Sequence, residues 1–472
     1  MNKLETIISL AKRRGFVFQS SEIYGGLNGC WDFGPLGVEL LRNLKESWWR
    51  EMTFRDDVEG VDASILMHPR TWEASGHVAQ FSDPMIDNKT SQARHRADNL
   101  IEEYIDRMIK KKKTQLAIEI EEKLLVATEP ADFYKIIIDH QIPDPVSGTC
   151  DWTEVRSFNL MFKTFIGPLE DTSSVVYLRP ESAQGIFVNF KNIMESSRQK
   201  LPFGIAQIGK AFRNEINTKN FLFRTREFEQ MEMQYFIKPG SELEWFEYWK
   251  DQRLNWYADL GMPIDKLKLK VHDKLAHYAN HAVDIEYEFP FGWGEIEGIH
   301  SRTDFDLSRH TEYSGKKLEY VDTVNNERFI PYVIETSGGV TRSLMAFLCN
   351  AYTEELAPSE IGKMEPRTVL KFHSKLAPVK VAVFPLVNKD GMPELAENIY
   401  HDLRKSFMAQ YDTGGAIGRR YRRQDEIGTP FCLTIDGQSL EDQTVTIRNR
   451  DTMLQDRIPV DNIKKYIVDL LG

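Results

Sequence analysis

GIAQIGKAFRNEINTKNFLFRTREFEQMEMQYF, residues 204–236, contains two alternating halves separated by a polar stretch at residues 217–220. Alternate residues of a strand lie on one face, and the polar stretch is typical of a turn. Arg213 and Glu215 lie together in the first half. In the second half one face carries Arg224, Arg226, Phe228, Gln230 and Glu232, and the other carries Met231, Met233 and Tyr235. The sequence predicts an antiparallel hairpin with an apolar face and a charged face.

The charged face has the chemistry of a nucleotide site. Guanidinium groups bind phosphate oxygens in a forked geometry, and the carboxylates and the phenyl ring suit an adenine amine and a base plane. Alternation alone is more typical of an ordinary hairpin with a charged outer surface. The order Arg-Asn-Glu followed by Arg-Thr-Arg-Glu-Phe favours ATP over that alternative.

This hairpin resembles motif 2 of the class II aminoacyl-tRNA synthetases, in the form that dimeric glycyl-tRNA synthetases carry. The resemblance implies that Arg213 holds the α-phosphate of ATP and the amino-acid carboxylate, and that Glu215 meets the adenine amine. It also implies that Arg224 reaches the terminal phosphates and that Phe228 stacks on adenine.

Residues 332–350, YVIETSGGVTRSLMAFLCN, predict a buried strand, a break at Gly338-Gly339 and a helix with apolar residues at helical spacing. Arg342 lies in the first turn of that helix, where free N–H groups favour an anion. Taken by itself, the segment is also explained by an ordinary strand-turn-helix with no role in binding. In a chain that also carries the hairpin, the segment is similar to motif 3 of the same family. This resemblance implies that Arg342 binds the γ-phosphate.

Residues 24–50, YGGLNGCWDFGPLGVELLRNLKESWWR, predict a glycine-rich turn that ends at Pro35 and an amphipathic helix through Val38, Leu41, Leu44 and Trp48. An apolar stripe is more often core than interface. The segment is similar to motif 1, and the resemblance implies a homodimer.

The resemblance also implies the substrates, which are ATP with Mg²⁺, glycine and tRNA(Gly). Catalytic roles fall to Arg213 and Arg342, and Glu295 is implied to contribute to Mg²⁺ binding. Residues implied to bind ATP are Arg213, Asn214, Glu215, Phe223, Arg224, Thr225, Arg226, Glu227, Phe228, Glu295, Ile296, Gly339, Val340, Thr341 and Arg342. Residues implied to bind glycine are Arg96, Glu181, Phe228, Glu229, Gln230, Met231, Glu232, Glu335, Thr336, Ser337, Gly338 and Gly339.

The resemblance therefore implies the activity of a glycine–tRNA ligase, which activates glycine as glycyl-adenylate and transfers the glycyl group to tRNA. A selective glycine site needs carboxylates for the ammonium group and no room for a side chain. Alternatives are another class II synthetase of the histidine, threonine or proline type, a non-catalytic synthetase-like RNA-binding protein, and an adenylating enzyme without a tRNA partner.

The composition is consistent with a large soluble enzyme. The chain has 472 residues, of which 41% are hydrophobic, and a formal net charge of −11. A chain of this length is expected to form roughly three domains. No apolar run approaches the ~18 to 20 residues that span a bilayer, and the N-terminal stretch lacks the pattern of a signal peptide. We therefore expect a cytoplasmic protein with no membrane partner.

The insertion is predicted to hold no metal. The four cysteines, Cys30, Cys150, Cys349 and Cys432, form no C-x-x-C pair. Relatives with a zinc-ribbon-like insertion have ligands where this chain has Asn88, Ser91, Asp144 and Ser147. A helical pattern runs from residue 99 to 126, and residues 110–113 are lysines on its hydrated face.

After Pro366, alternating strand and helix patterns predict an α/β domain with a mostly parallel sheet. It is similar to the anticodon-binding domain of the glycine, histidine, proline and threonine enzymes. Arg419, Arg420, Arg422 and Arg423, with Arg448 and Arg450, are predicted as an exposed basic surface for tRNA. A solvated charged face is the common alternative.

The predicted fold class is a multidomain α/β and α+β protein, with an antiparallel-sheet catalytic domain, a helical insertion and a C-terminal α/β domain. The predicted limits are 1–75 and 158–365 for the catalytic domain, 76–157 for the insertion and 370–472 for the anticodon-binding domain.

Overall fold

A computed structural model describes residues 2–272, 280–358 and 363–471. The chain divides into two compact units, Met1–Met67 with Glu181–Gly472, and His68–Pro180. The second unit is longer at both ends than the insertion expected from the sequence. Within the described ranges, no helix is both long enough and apolar enough to cross a membrane.

Helices occur in both units. In chain order they are α1 Lys3–Arg13, α2 Pro35–Thr53, α3 Pro69–Ala74, α4 His77–Gln80, α5 Ala97–Lys110, α6 Thr114–Val126, α7 Pro130–Asp139, α8 Ala183–Ser197, α9 Glu242–Asp259, α10 Phe305–Ser314, α11 Val340–Ala351, α12 Met392–Leu403, α13 Ile417–Ile427, α14 Gly437–Asp442 and α15 Ile463–Leu471.

The strands are grouped in several sheets. In chain order they are β1 Val17–Gln19, β2 Trp31–Phe33, β3 Val58–Gly60, β4 Ser82–Asp87, β5 Arg94–Arg96, β6 Arg156–Asn159, β7 Lys163–Phe165, β8 Val175–Tyr177, β9 Phe203–Phe212, β10 Glu227–Ile237, β11 Leu267–Val271, β12 His281–Phe289, β13 Gly292–Thr303, β14 Tyr320–Asp322, β15 Glu327–Phe329, β16 Tyr332–Gly339, β17 Tyr352–Pro358, β18 Met364–Leu370, β19 Val381–Pro385, β20 Ala409–Tyr411, β21 Phe431–Ile435, β22 Thr444–Asn449 and β23 Gln455–Pro459.

The main sheet of the first unit has the order β11-β12-β13-β16-β10-β9-β3 in the described residues. Its pairs are antiparallel except β3 with β9. Met231, Met233 and Tyr235 of β10 are fully buried in the core that helices α2, α9 and α11 cover. The predicted hairpin is therefore confirmed as β9 and β10, with its apolar face inward.

The connection between β9 and β10 is longer than the sequence predicted. Strand β9 ends at Phe212 and β10 begins at Glu227, so Arg224 and Arg226 lie before the strand. Phe221 and Leu222 are buried, and the Phe221 ring centroid lies 4.8 Å from that of Trp31. Burying these apolar residues requires a folded loop in place of a tight turn.

Strand β16 and helix α11 confirm the predicted strand and helix, with Arg342 in the first helical turn. The break predicted at Gly338-Gly339 is wrong, because both glycines pair with β10 as the last residues of β16 and the helix begins at the next residue. Helix α2 also forms as predicted, beginning at Pro35. One detail of its apolar stripe is wrong, because Val38 is exposed and Leu40 is buried instead. The stripe at Leu40, Leu41, Leu44, Trp48 and Met52 packs into the core of the first unit.

The C-terminal sheet has the order β20-β19-β21-β22-β23. The prediction of a mostly parallel sheet is wrong, since β19 is parallel to β20 and β21 but β22 is antiparallel to β21 and β23. Only the short α14 joins β21 to β22, whereas a parallel pair needs a crossover of a dozen or more residues. Helix α13, which carries the arginine run, was not predicted.

In the second unit, β5, β4 and β6 form a sheet and α5, α6 and α7 share a hydrophobic core. The helical pattern predicted over residues 99–126 forms two helices, with a break at residues 111–113. Lys112 has a φ of 60°, which ends a right-handed helix.

Candidate active site

A cavity of about 210 Å³ lies over the centre of the main sheet, where β10, β13 and β16 meet the first turn of α11. Strand register brings Gln230 opposite Gly339 and Glu232 opposite Ser337. Predicted site residues that line this cavity are Glu181, Arg213, Glu215, Phe223, Arg224, Thr225, Phe228, Glu229, Gln230, Glu232, Glu295, Glu335, Ser337, Gly339, Thr341 and Arg342.

Arginine side chains and aromatic rings form one part of the cavity wall. Arg342 donates from Nε to the Phe223 carbonyl at 3.0 Å, and its guanidinium carbon lies 4.6 Å from the Phe223 ring centroid. The guanidinium carbon of Arg213 lies 5.3 Å from the Phe228 ring centroid. Cationic groups next to flat apolar surfaces can hold a phosphate and an aromatic base together.

Glu295 faces these arginines. Its Oε2 lies 3.2 Å from Nη1 of Arg342. Burial alone would raise the pKa of Glu295, but the charges of Arg342 and Arg213 hold it below the usual range. The carboxylate is therefore ionised and can exchange its guanidinium partner for another cation.

A second part of the wall is acidic and buried. Glu232 accepts hydrogen bonds from Ser182 Oγ at 2.5 Å, Gln230 Nε2 at 3.1 Å and Ser337 Oγ at 2.6 Å. Glu335 accepts from Gln234 Nε2 at 2.7 Å. These contacts fix two carboxylates of the cavity in place.

Cationic partners are distributed unequally between these carboxylates. Nη1 of Arg302 lies 3.3 Å from both oxygens of Glu335, and Nδ1 of His300 lies 3.0 Å from Oε1. Burial would raise the pKa of Glu335, but Arg302 and His300 hold it below the usual range. Burial and the negative charges of Glu335 and Glu181 raise the pKa of Glu232 to about 7. The pair can therefore accept one additional cation.

Four further residues line the cavity and were not predicted from the sequence, namely Leu222, Gly298, His300 and Arg302. Arg302 is held by Asp306 through Nε at 2.7 Å and Nη2 at 3.0 Å. Gln184 donates to Asp306 Oδ1 at 3.1 Å and to Glu181 Oε1 at 2.9 Å. Alternation in GIHSR places Gly298, His300 and Arg302 on one face of β13, which is the pattern that could have found them.

Several predicted residues do not line the cavity. Arg226 donates to the carbonyls of Glu215 at 2.9 Å and Asn28 at 2.6 Å. Arg96 belongs to the second unit, where its guanidinium contacts Asp83 and Asp98 at 3.1 and 2.5 Å. The remaining ones are Asn214, Glu227, Met231, Ile296, Thr336, Gly338 and Val340, of which Met231, Ile296, Thr336 and Val340 are buried in the sheet or helix.

The residues at the expected metal positions of the insertion form a hydrogen-bonded cluster. Asn88 Oδ1 accepts from the Ser91 backbone N at 3.0 Å and from Ser147 Oγ at 3.3 Å. Asp144 accepts from Ser147 Oγ at 2.7 Å and lies 2.9 Å from His95 Nε2. Burial would raise the pKa of Asp144, but hydrogen bonds from Ser147 and Ser91 hold it well below the usual range. The cluster satisfies its buried acceptors with protein donors.

The C-terminal arginines do not form one exposed surface. Arg419, Arg422 and Arg423 line a groove of about 810 Å³ with Tyr421. Arg420 is buried and donates to the carbonyls of Pro385, Leu386, Asp412 and Gly415 at 2.5 to 3.3 Å. Arg448 and Arg450 are also buried, and Arg448 nevertheless contributes to the lining of the groove. The prediction of an exposed run is therefore wrong at Arg420, Arg448 and Arg450, whose guanidinium groups have partners inside the domain.

Three family models match the chain, in agreement with its fold and site. The anticodon-binding domain matches residues 380–470, the tRNA synthetase class II core domain (G, H, P, S and T) matches residues 164–351, and the glycyl-tRNA synthetase insertion domain 1 matches residues 83–124 and 109–160. A solved prolyl-tRNA synthetase of Cryptosporidium parvum has a TM-score of 0.61 at 13% identity and covers 98% of this chain and 74% of its own. The fold and the family models together identify the protein as a class II aminoacyl-tRNA synthetase.

Full-length relatives narrow this class. Glycine–tRNA ligase of Chlorobaculum tepidum is 56% identical over 477 residues, covering 100% of both chains. The enzyme of Treponema denticola is 56% identical over 97% of this chain and 94% of its own, and that of Bacillus cereus 51% over 99% of both. The chain belongs to the glycine–tRNA ligase family. The resemblance and the fold class inferred from the sequence are confirmed.

Proposed function

We propose that the cavity over the main sheet is the site where this enzyme joins glycine to ATP and then transfers the glycyl group to tRNA(Gly). One observation carries the proposal. Arg213, Arg224 and Arg342 line the same cavity as Glu181, Glu232 and Glu335. A triphosphate needs cations and an ammonium group needs anions, so the two sets suit the two substrates.

The arginine side is proposed to hold ATP. Adenine stacks on Phe228 with its amine toward Glu215, and Arg213 neutralises the α-phosphate. Arg224 and Arg342 bind the departing pyrophosphate, with Arg342 helped by the N-terminus of α11. Asn214, Thr225, Arg226, Glu227, Ile296, Val340 and Thr341 complete the nucleotide set as a prediction from the resemblance.

Mg²⁺ accompanies ATP in this class of enzyme, and Glu295 fits it. The carboxylate of Glu295 is ionised beside Arg342 and lies on the arginine side. Mg²⁺ prefers carboxylate, phosphate and water oxygens. When bound, the ion would neutralise phosphate charge, and Glu295 is the protein group proposed to hold it.

The acidic side is proposed to hold the glycine ammonium group. Glu335 offers an ionised carboxylate, Glu232 becomes ionised as the ammonium arrives, and Ser337 fixes Glu232 in place. A side chain on the amino acid would need space beside these fixed groups. Nothing is smaller than glycine, so exclusion alone gives selectivity and no editing domain is required.

Activation then proceeds with little acid–base chemistry. The glycine carboxylate attacks the α-phosphorus in line, a P–O bond forms, and the bond to the β-phosphate oxygen breaks to release pyrophosphate. Arg213 stabilises the charge on the transferring phosphorus, and Arg342 that on the leaving group. The terminal adenosine of tRNA then attacks the glycyl carbonyl and releases AMP.

Contacts with tRNA are proposed for the groove that contains Arg419, Arg422 and Arg423. A homodimer formed through α2, a metal-free insertion, a cytoplasmic location and the four domain limits are further proposals from the sequence. Glycine contacts by Arg96, Glu229, Gln230, Met231, Thr336, Gly338 and Gly339 stay predictions as well.

Pyrophosphate exchange measured with glycine, alanine and serine tests the function most directly. We expect exchange that depends on glycine and is at background with the other two. Exchange with histidine, threonine or proline would favour another class II synthetase. No exchange with any amino acid would favour a non-catalytic RNA-binding protein, and a filter-binding assay that detects no tRNA would favour an adenylating enzyme without a tRNA partner.

A further inference from the structure

Three potential metal ligands meet at the β11 end of the main sheet. These are His272, Asp284 and His300, whose ligand atoms all lie within 4.8 Å of one another. Among the described residues, 2–272, 280–358 and 363–471, no other group of three or more histidine, cysteine, aspartate or glutamate side chains is arranged to hold a metal ion in this way. The proposed chemistry of glycine activation uses none of them as a metal ligand.

Strand register explains why the three side chains meet. The backbone N of His272 donates to the Ala282 carbonyl at 3.2 Å, and Ala282 pairs with His300 on the other side. Both histidines therefore flank Ala282, and Asp284 lies two residues farther along the same face of β12. Val283, between them, is buried in the core on the opposite face.

Small residues keep the space between these ligands open. Ala282 presents only a methyl group between the two histidines. Gly298 pairs with Asp284, and a Cβ at Gly298 would lie 2.7 Å from Cε1 of His300 and 3.5 Å from Oδ1 of Asp284. A larger residue at this position would therefore displace the imidazole of His300.

The orientation of His300 is the strongest indication of a metal site. Its Nδ1 lies 3.0 Å from Oε1 of Glu335, which directs the other ring nitrogen, Nε2, away from that carboxylate. Metal-binding histidines almost always use one nitrogen for a carboxylate or carbonyl and the other for the metal. His272 presents Nε2 to Oδ2 of Asp284 at 2.8 Å.

From this arrangement we propose that His272, Asp284 and His300 bind one zinc-type divalent cation, with water completing the coordination. Two imidazoles and one carboxylate are typical zinc ligands, whereas Mg²⁺ prefers oxygen ligands alone. Tetrahedral zinc needs ligand atoms about 3.4 Å apart, and the three ligand atoms here lie within 4.8 Å of one another. The partly exposed His272 side chain can move to adjust these distances while His300 keeps its contact with Glu335. The ion would clamp β11 and β12 to β13 and fix His300 against Glu335.

Solvent can reach this site, because the side chain of His272 is 32% exposed. The ion would be distinct from the one that accompanies ATP, since Glu295 and the phosphates offer only oxygen atoms. Metal binding can be measured without substrates, so its failure would leave the proposed glycine–tRNA ligase activity untouched.

Cobalt titration of the full-length, metal-free protein tests the proposal. We expect one equivalent of Co²⁺ with the intense visible absorption of four-coordinate cobalt, displaced by Zn²⁺ and retained in excess Mg²⁺. His272→Gln and Asp284→Asn should each weaken binding at least tenfold in calorimetry. His95→Gln removes a histidine that faces a different aspartate, Asp144, and should leave the titration unchanged.

Thermal unfolding shows whether a variant that binds less metal is still folded. Each variant should unfold at a temperature close to that of the parent without metal, and only the parent and His95→Gln should be stabilised by Zn²⁺. Equal affinity in the parent, His272→Gln and Asp284→Asn would overturn the proposal. A thiolate charge-transfer band, which would place the cobalt on a cysteine, would overturn it as well.

Discussion

The first unit contains two arginine-rich regions with opposite uses. In the cavity over the main sheet, Arg342 contacts two carbonyls and one carboxylate at the wall of an open space. In the C-terminal domain, Arg420 lies inside the fold and uses its guanidinium on several backbone carbonyls. Arginine is always charged in proteins, yet only the first arrangement leaves a face for a ligand.

The difference follows from what surrounds each side chain. Arg448 pairs with the buried Asp425 at 2.9 Å, and Arg367 reaches the same carboxylate from another strand at 2.9 Å. These charges are compensated inside the domain, where removing one partner leaves the other buried and unpaired. A cluster of arginines in a sequence therefore indicates a binding surface only where the guanidinium groups also line an open cavity or groove, as Arg342 does, and not where they are enclosed inside the fold, as Arg420 is.

Replacing Arg342 tests the cavity side of the comparison and should have the largest effect. Arg342→Ala should lower glycine-dependent pyrophosphate exchange about 10²- to 10³-fold or more, because the leaving pyrophosphate loses a positioned cation. Its affinity for tRNA should change little. Arg422→Ala is the matched control, with normal exchange expected; normal exchange in Arg342→Ala would remove the proposed role.

Replacing Arg420 tests the buried side. Arg420→Ala leaves carbonyls of Pro385 and Leu386 without their donor, so the free energy of unfolding should fall by about 2 to 4 kcal/mol, roughly 30- to 900-fold in the equilibrium. Chemical denaturation with circular dichroism measures it. Arg419→Ala, on the same helix but at the groove, should cost less than about 0.5 kcal/mol. Equal losses would contradict the distinction between the two arginines.

The acidic wall predicts a pH dependence. Glu232 has its pKa raised to about 7, and the contact proposed between Glu232 and the glycine ammonium group needs the ionised carboxylate. The ratio kcat/KM for glycine should therefore fall about tenfold for each pH unit below about 7 and level off above it. Glu232→Gln cannot ionise and should lose this titration together with most of its glycine affinity. A flat profile in the parent enzyme across the same range would contradict the assignment.

The groove arginines should give the smallest effect. Arg422→Ala with Arg423→Ala should weaken tRNA binding only several-fold at low salt and reduce the salt slope of the association constant by about 1 to 2. Filter binding at several salt concentrations measures both quantities. An unchanged slope would show that these side chains do not contact phosphate.

Local patterns predicted the parts of the fold that depend on one segment. The hairpin, the helix at Pro35, and the strand and helix around Arg342 follow from a period of two or 3.6 and from the position of Pro35. The long loop after β9 was missed because the burial of Phe221 against Trp31 depends on a residue far away in the sequence.

The site residues that could not be predicted from the sequence depend on the pairing register between β13 and β16. His300 and Arg302 reach Glu335 only because β13 pairs with β16 with His300 opposite Glu335. Nothing local to GIHSR indicates its partner strand. The same applies to Arg420, whose burial depends on carbonyls at the end of β19. Contacts between segments far apart in the sequence therefore explain why His300 and Arg302 were not predicted as site residues and why Arg420 was wrongly predicted to be exposed.

The hydrogen-bonded cluster around Asn88 and Asp144 affects how the second unit responds to oxidation. A unit held by metal-bound thiolates loses its anchor when those sulfurs are oxidised, whereas amide, hydroxyl and carboxylate oxygens resist that damage. The exposed Cys150 contributes only a 3.4 Å contact to the Gln141 carbonyl. Peroxide should therefore modify this thiol and leave the surrounding fold intact.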